Sequence, residues 1–399
     1  MTAARCVIAG GGPAGMMLGL LLARAGVEVV VLEKHADFLR DFRGDTLHPS
    51  TLEVMHELGL YDELAALPHQ KIERLNIQVG PFQTKVADLT HLPVRSPFIM
   101  LMPQWDFLDF LRRQGERYPN FTCLMETEAL GPLLDGDRVV GLRAEGPEGE
   151  IHILASLVVG ADGRRSRMRA AAALPLKDLG APIDVLWFRL SRRPTDTVQT
   201  GGRFERGRFF VRIYRGDYWQ CAFVIRKGEG EAIRARGIEA FRAEVGTLLP
   251  FDPGRTEELG SFDDVSLLSV SVDRLTRWHR PGLLCIGDAA HAMSPVGGVG
   301  INLAIQDAVA AANLLAAKLA SDSVDEADLA AVQKRRWLPT RLTQAAQVFV
   351  HRQVLEHALG SRTDGRVPLP VRLFARFPRL RRIPARLIGL GVRPEHVQT

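Results

Sequence analysis

Three stretches, far apart in the 399-residue chain, carry residue types able to hold phosphates, sugars or an electron-poor ring. The first is Gly10-Gly-Gly12-Pro13-Ala14-Gly15, which follows the apolar, β-prone Arg5-Cys-Val-Ile-Ala9. Gly10 permits a tight turn. Gly12 lets backbone approach a pyrophosphate, and Gly15 lets the following helix pack close to a sheet. The start of such a helix offers unpaired N–H groups and the positive end of its dipole to phosphates. Gly26 stops the helix and residues 27–32 read as a second strand. Glu33, 18 residues after Gly15, can then accept bonds from ribose hydroxyls. Lys34 comes next, where a cation could help hold a phosphate. The pattern points to a dinucleotide without choosing between NAD and FAD.

The second stretch is Asp162-Gly163-Arg-Arg-Ser166-Arg-Met-Arg169. The third is Gly287-Asp288-Ala-Ala-His291, followed by Pro295, Gly297, Gly298, Gly300, Ile301 and Asn302. An acid closing a buried strand is costly without partners. At a strand-to-helix switch, however, cofactors bind in open α/β sheets, and Asp288 could accept bonds from a ribityl chain. The three glycines make a second backbone loop opening a helix at Ile301, whose N–H groups can face an anionic ring edge. A shorter stretch, Pro103-Gln104-Trp105-Asp106, stands at a helix entrance. His291 reads as a structural hydrogen-bonder. The histidines show no HExxH or clustered ligand spacing, so no metal ion is expected.

Several elements must position these residues. Residues 37–49 read as a polar loop carrying Arg40 and Arg43, and Ser50-Thr-Leu-Glu53 as a capping box that starts a short helix. Short strands are expected over 73–79 and 82–86, and a helix over 106–118. Residues 121–134 and 138–145 should pair around Asp135-Gly136-Asp137, with strands over 151–155 and 157–161 after them. From Asp184 aromatic-rich strands over 185–190, 208–214 and 218–225, a helix over 231–249 and a strand over 265–272 suggest an antiparallel sheet. Trp187, Arg189, Arg212, Tyr214, Gln220 and Phe223 on these strands are candidate substrate contacts, with Trp219 among them. A buried strand at 283–287, a long helix over 301–319, and helices over 325–337 and 341–359 divided at Pro339 complete the body. The expected class is α/β (α+β). A discontinuous Rossmann-like domain (1–72, 98–178, 276–324) is interleaved with a substrate domain (73–97, 179–275). C-terminal helices and a basic tail follow (325–399).

Hydrophobic residues make up 46%, enough for a large core. The net charge of +5 is a property of the tail. Residues 360–399 hold nine arginines and two acids while the rest is near neutral, which argues against a nucleic-acid-binding body. The tail could lie on an anionic surface, as a weak peripheral membrane contact, or be a solvated or packed extension. Four scattered cysteines without a CxxC suggest free thiols in a reducing cytoplasm. Arg24 and Glu28 interrupt the apolar N-terminus, which is not read as a signal peptide, and no run of ~20 apolar residues is expected to span a membrane.

Residues 10–33, 162–169 and 287–302 together resemble, in order, spacing and residue type, the three fingerprints of class A flavoprotein monooxygenases, the 4-hydroxybenzoate hydroxylase-like family. The resemblance covers roughly residues 1–340. It implies FAD, reduction by NADH or NADPH, and hydroxylation with O2 through a flavin C4a-hydroperoxide of an electron-rich aromatic or polyketide-like small molecule. By the same resemblance Glu33 holds the adenosine ribose, Arg43 and Gln104 contact the phosphate–ribityl region, and Ala129 lies by the adenine. Asp162 serves the motif shared by FAD and the nicotinamide donor, and Asp288 holds the ribityl chain. Gly300, Ile301 and Asn302 present backbone to the flavin pyrimidine edge, and the Pro295 carbonyl faces substrate and flavin. The family's phenol-binding Tyr pair and carboxylate-binding Ser/Arg set have no match in 185–225, so a benzoate-like substrate is not expected. A reductase or dehydrogenase of the same fold, and a non-enzymatic FAD-binding sensor or scaffold, stay open as alternatives.

Overall fold

The computed structural model describes residues 2–39, 46–196, 200–205, 207–352 and 369–399. An eight-stranded sheet forms around the first strand, Thr2–Ala9. Its main order is His279–Arg280, Leu283–Cys285, Gly149–Gly160, Thr2–Ala9, Val29–Leu32, Phe121–Leu124. Of its five pairings, the one between His279–Arg280 and Leu283–Cys285 is antiparallel and the other four are parallel. Glu128–Asp135 and Arg138–Gly146 fold back antiparallel beside Gly149–Gly160. Every residue of Val29–Leu32 is buried, as a parallel strand covered on both faces requires. The helix Pro13–Arg24 is buried from Ala14 through Ala23 and packs against Gly300–Ala320 and Gln104–Gly115.

The second sheet has seven strands in the order Ser266–Ser269, Ile183–Ser191, Tyr218–Arg226, Arg208–Tyr214, Gly201–Glu205, Arg74–Val79, Phe82–Asp88. All its pairings are antiparallel except Gly201–Glu205 with Arg74–Val79. Helices Gly230–Ala235 and Ile238–Gly246 cover one face, where Leu186, Phe188, Phe210, Trp219 and Phe223 pack with Ile233, Phe241 and Val245.

Local chemistry explains where elements depart from the sequence reading. The expected strand 121–134 is two strands in different pairings, separated where Glu126 turns at φ 52°. The two strands expected over 151–155 and 157–161 are one long strand, Gly149–Gly160, which stops before Ala161. The helix over 231–249 is broken by Gly237 at φ 86°. The helix expected from Ser50 begins at Pro49, whose fixed φ and missing N–H suit a first helical position, and His48 is its N-cap. Glu326–Val350 runs unbroken through Pro339. An interior proline costs ~3 kcal/mol. Side chains on either side of it, Arg335 and Arg336 before, Gln344 and Gln347 after, bind other segments and offset that cost. Contrary to the expectation of no such run, Val296–Ala320 is long and apolar enough to cross a membrane. It is mostly buried inside the fold and acts as a core helix. The four cysteines are free, and Cys6, Cys221 and Cys285 are buried.

Candidate cofactor and substrate site

The three glycine and aspartate stretches, distant in sequence, touch. Gly10 sits at φ 108°, and a Cβ there would stand 2.5 Å from the Ala161 carbonyl oxygen and 2.9 Å from Asp162 Cα. A Cβ on Gly15 would stand 1.9 Å from the Gly10 oxygen, so the helix starts directly on its own turn. Gly287, at φ 58°, is wedged between two helix starts: its Cβ would be 3.0 Å from Ala14 Cβ and 3.3 Å from Ala304 Cβ. Gly12 is the contrast, with no atom within 4 Å of a Cβ placed there and an ordinary φ of −73°. It is the N-cap of Pro13–Arg24, and no side chain caps that helix. The first helix amides therefore have no side-chain cap, space is open at Gly12 beside them, and Pro13 has no N–H to satisfy.

Around this opening, Glu33 closes Val29–Leu32 at 8% exposure, its carboxylate accepting the His35 amide at 3.1 Å. The Thr127 amide bonds to the Glu33 carbonyl, bringing the strand that holds buried Ala129 alongside. Lys34 is exposed, 3.9 Å from Glu128. Gln104 starts the helix Gln104–Gly115, just after a strand whose Leu101 pairs with Thr46. Arg43 lies outside the described residues.

Charges lace the second and third stretches together. Arg164 Nε donates to Asp288 Oδ2 at 3.0 Å, and its Nη2 to the Met293 carbonyl at 3.3 Å. Arg169 donates to the carbonyls of Arg164 (2.6 Å) and Ala289 (3.3 Å). Asp162 Oδ2 accepts the Met168 amide at 3.1 Å, while its Oδ1 is buried with no partner. Burial holds the Asp162 carboxyl above its usual range despite the hydrogen bonds that favour its charge. Asp288 remains about a third open. Behind it the fully buried Asp307 accepts the Gly287 amide (3.1 Å), His291 Nε2 (2.6 Å) and Arg336 Nε (2.9 Å). Burial pushes the Asp307 carboxyl up, but His291 and Arg336 outweigh it and leave the group below the usual carboxylate range. Arg336 also reaches Glu395 at 3.3 Å, which ties the segment around residue 395 to the body. His291 thus serves structure, as its sequence context suggests. The sequence reading assigned nothing to Arg164, Arg169, Asp307 or Arg336. An acid at mid-helix and arginines in a basic turn look like ordinary surface charge until the fold buries them.

The loop after Pro295 is framed the same way. Gly297 and Gly298 both adopt positive φ, 82° and 63°. A Cβ on Gly298 would stand 2.5 Å from Thr46 Oγ1. The Pro295 carbonyl accepts the Gly298 amide at 3.0 Å. The Asn302 side chain is buried. It donates to the carbonyls of Thr46 (3.0 Å) and Gly298 (3.2 Å) and accepts from His48 N and Thr51 Oγ1 (both 2.7 Å). What Gly300, Ile301 and Asn302 have left to offer is backbone, because Leu303, bonded to Val299, begins the helix ladder. Gln347 and His351 brace the loop from behind through Ser294 and Val296. Burial lowers the rings of His351 and His48 to about 4.

Strand register divides the substrate candidates. Trp187 pairs with Ala222, Arg189 with Gln220, and Val211 with Ala222, so these residues share one face. On that face Trp187, Phe204, Phe209, Val211, Ala222 and Val224 cluster with Val296 of the loop. Phe223, Arg212 and Tyr214 are a correction. They pair with Phe210 and Leu186, Cys221 and Trp219 on the opposite, helix-covered face, turned away from the loop. Alternation along each strand was visible in sequence, but which face met the loop was not.

Two glycine loops linked through the Gly287–Asp288 strand end, the second packed through Val296 on an aromatic sheet, are the frame of an FAD-dependent monooxygenase. The chain belongs to the class A flavoprotein monooxygenases: residues 3–346 match the family model described as "FAD binding domain". Among curated proteins it is 33% identical, over 92% of this chain and 86% of the relative, to 6-methylpretetramide 4-monooxygenase of Streptomyces rimosus. Among solved structures, OxyS anhydrotetracycline hydroxylase from Streptomyces rimosus superposes with a TM-score of 0.75 at 23% identity, covering 98% of this chain and 77% of that one. The p-nitrophenol 4-monooxygenase PnpA from Pseudomonas putida DLL-E4 gives 0.74 at 21%, covering 96% and 99%, which extends the likeness in fold across the whole chain.

Proposed function

We propose that this enzyme hydroxylates a flat, electron-rich polycyclic aromatic or polyketide-like compound in the cytoplasm, with NADH or NADPH as reductant and O2 as oxygen source. The observation that carries this reading is the wall of Trp187, Phe204, Phe209, Val211 and Val224 closing on Val296. Phe204 and Val224 form its packed backing, and the partly buried Trp187, Phe209 and Val211 present apolar surface suited to fused rings rather than to gripping a small carboxylate. The similarity to a 6-methylpretetramide 4-monooxygenase supports the same substrate class.

Open space over Gly12, the exposed third of Asp288 and the unpartnered Asp162 Oδ1 fit an extended dinucleotide. In this reading Gly10, Gly12, Ala14 and Gly15 cradle its pyrophosphate, while Glu33 takes the adenosine ribose, with Ala129 nearby. Asp288 and Gln104 take the ribityl side. Asp162 serves the region where dinucleotide and nicotinamide donor meet. The amides of Gly300, Ile301 and Asn302 face the ring's electron-rich edge, fixed dipoles that need no rearrangement during reaction. When bound, FAD would supply the redox chemistry that links NADH or NADPH to O2, one oxygen atom ending in the substrate and the other in water. The chain's part is to exclude water with the Trp187 wall and to set the ring plane with the Pro295–Gly298 loop. Arg189 and Gln220, paired at one end of the wall, are the polar groups this reading assigns to a phenolic oxygen.

The test is NAD(P)H oxidation by the FAD-loaded protein across a panel of monocyclic and polycyclic phenols, with product mass. The expected result is stimulation by polycyclic members and a product carrying one added oxygen atom. A reduced product without oxygen would establish the reductase alternative. Bound flavin with no stimulated turnover would establish the sensor.

A further inference from the structure

The C-terminal segment carries a surface that the cofactor and substrate site does not use. Helices Leu369–Arg376 and Arg382–Gly389 are fixed to the body through one side. Val371, Ala385 and Leu390 are buried, the latter two against Leu89, Leu92 and Leu101, and the Ile388 carbonyl is bonded to His48 Nδ1 at 2.7 Å. The other side points outward. Leu369 is 66% exposed, Leu373 41%, Phe377 51% and Ile383 66%. Leu369, Leu373 and Phe377 recur every four residues, as neighbours along a helix do. Arg372, Arg376, Arg379, Arg382 and Arg386 stand exposed among them. The sequence has no acid between Asp364 and Glu395, and among the described residues none of these five arginines is paired with a carboxylate.

We propose that this face docks the enzyme on an anionic lipid bilayer. Large apolar side chains alternating with guanidinium groups that no described carboxylate pairs, Arg376 lying over the Phe377 ring, match the boundary between acyl chains and headgroup phosphates, where both find partners at once. A second copy of this chain is a poor occupant. A two-fold contact on this face would set five arginines against their own copies with no acid to answer them. The docking face lies close to the substrate site. Ile388, on its inner side, comes within 4.0 Å of where a Cβ on Gly297 would stand, so a bilayer-dissolved polycyclic substrate would arrive beside the Pro295–Gly298 loop.

The test is co-sedimentation of the FAD-loaded protein with vesicles of pure phosphatidylcholine and with vesicles of equal parts phosphatidylcholine and phosphatidylglycerol, at low and high salt. Binding is expected only to the anionic vesicles, weakened by salt. Two variants separate the contributions: Arg372→Gln/Arg376→Gln/Arg379→Gln, and Leu373→Ser/Phe377→Ser/Ile383→Ser. Each should lose at least about tenfold in partitioning, which is ~1.4 kcal/mol, while keeping wild-type FAD content and thermal stability, since all six side chains are exposed. Absence of anionic-vesicle binding in the wild type overturns the proposal. So does binding that neither variant weakens, or a wild-type dimer that becomes monomeric in the serine variant without any vesicle binding.

Discussion

Replacing Asp307 by asparagine tests whether the buried charge network positions the loop that carries Asp288. Asp307 sits at 0% exposure and accepts three hydrogen bonds: Gly287 N at 3.1 Å, His291 Nε2 at 2.6 Å and Arg336 Nε at 2.9 Å. Asparagine keeps the shape and one acceptor but removes the charge that answers Arg336, itself 1% exposed. Breaking a buried ion pair from one side costs about 3–5 kcal/mol. Glu395, 3.3 Å from Arg336 Nη1, remains as a counter-charge and brings the expected loss toward about 2–3 kcal/mol, near the value for one hydrogen bond to a charged group. That is a large share of the ~5–15 kcal/mol typical of a folded domain. A double change that also replaces Glu395 by glutamine should exceed the sum of the singles, because Arg336 then has no carboxylate at all. Urea unfolding gives the stability, and quenching of flavin fluorescence on titrating apo-protein gives FAD affinity. The affinity should fall roughly tenfold, since the Gly287 amide is one of the bonds that fix the backbone next to Asp288. Wild-type stability and wild-type FAD affinity in the Asp307→Asn protein would refute the idea that this network positions the loop.

Glycine positions separate binding from folding. Gly12→Ala should fold with stability within ~0.5 kcal/mol of wild type, since its Cβ meets nothing. It should still lose FAD affinity by at least about tenfold, and FAD bound as tightly as before would remove Gly12 from the pyrophosphate cradle. Gly10→Ala, at φ 108° and against the Ala161 carbonyl, should destabilise the apo-protein, as thermal melting would register. Arg164→Met leaves Asp288 without its 3.0 Å partner. Both groups are about a third exposed, so the stability cost should stay below about 1 kcal/mol, while FAD titration shows weaker binding. Unchanged FAD affinity would make the contact incidental. The folded-state pKa of His48 and His351 is lowered from 6.5 to about 4, so the unfolded chain binds more protons between those values. Their contribution is intact above pH 6.5 and is lost progressively as the pH falls toward 4. Urea midpoints measured across that window should fall with pH, and His351→Gln should flatten the slope.

Elements set by short-range rules were legible in the sequence. The turn at Gly10–Gly15, the buried run before Glu33 and the Gly287–Asn302 loop each depend on residues adjacent in the chain, and glycine leaves a visible mark wherever backbone must come close. Features that depend on what lies across the fold were hidden. Nothing near Asp307 in sequence announces that it will hold Gly287, 20 residues away, and Arg336, 29 away. The local cost of Pro339 suggested a helix break, and only the contacts made on both sides of it explain its absence. Residue type and alternation along the strands make Arg212, Tyr214 and Phe223 candidates, but neither says which face meets the loop. Their register, fixed by pairing with Cys221, Trp219 and Leu186, turned them under the helices.

The bond from Arg336 to Glu395 has a consequence for biosynthesis. Glu395 closes a chain of contacts that runs through Arg336 and Asp307 to Gly287. A ribosome making this protein delivers the Gly10 turn long before Glu395, which completes the brace. The nascent polypeptide can shape the Gly10 turn early, but it acquires a fully braced pocket only after translation has passed residue 395, so tight retention of the prosthetic group waits for that residue.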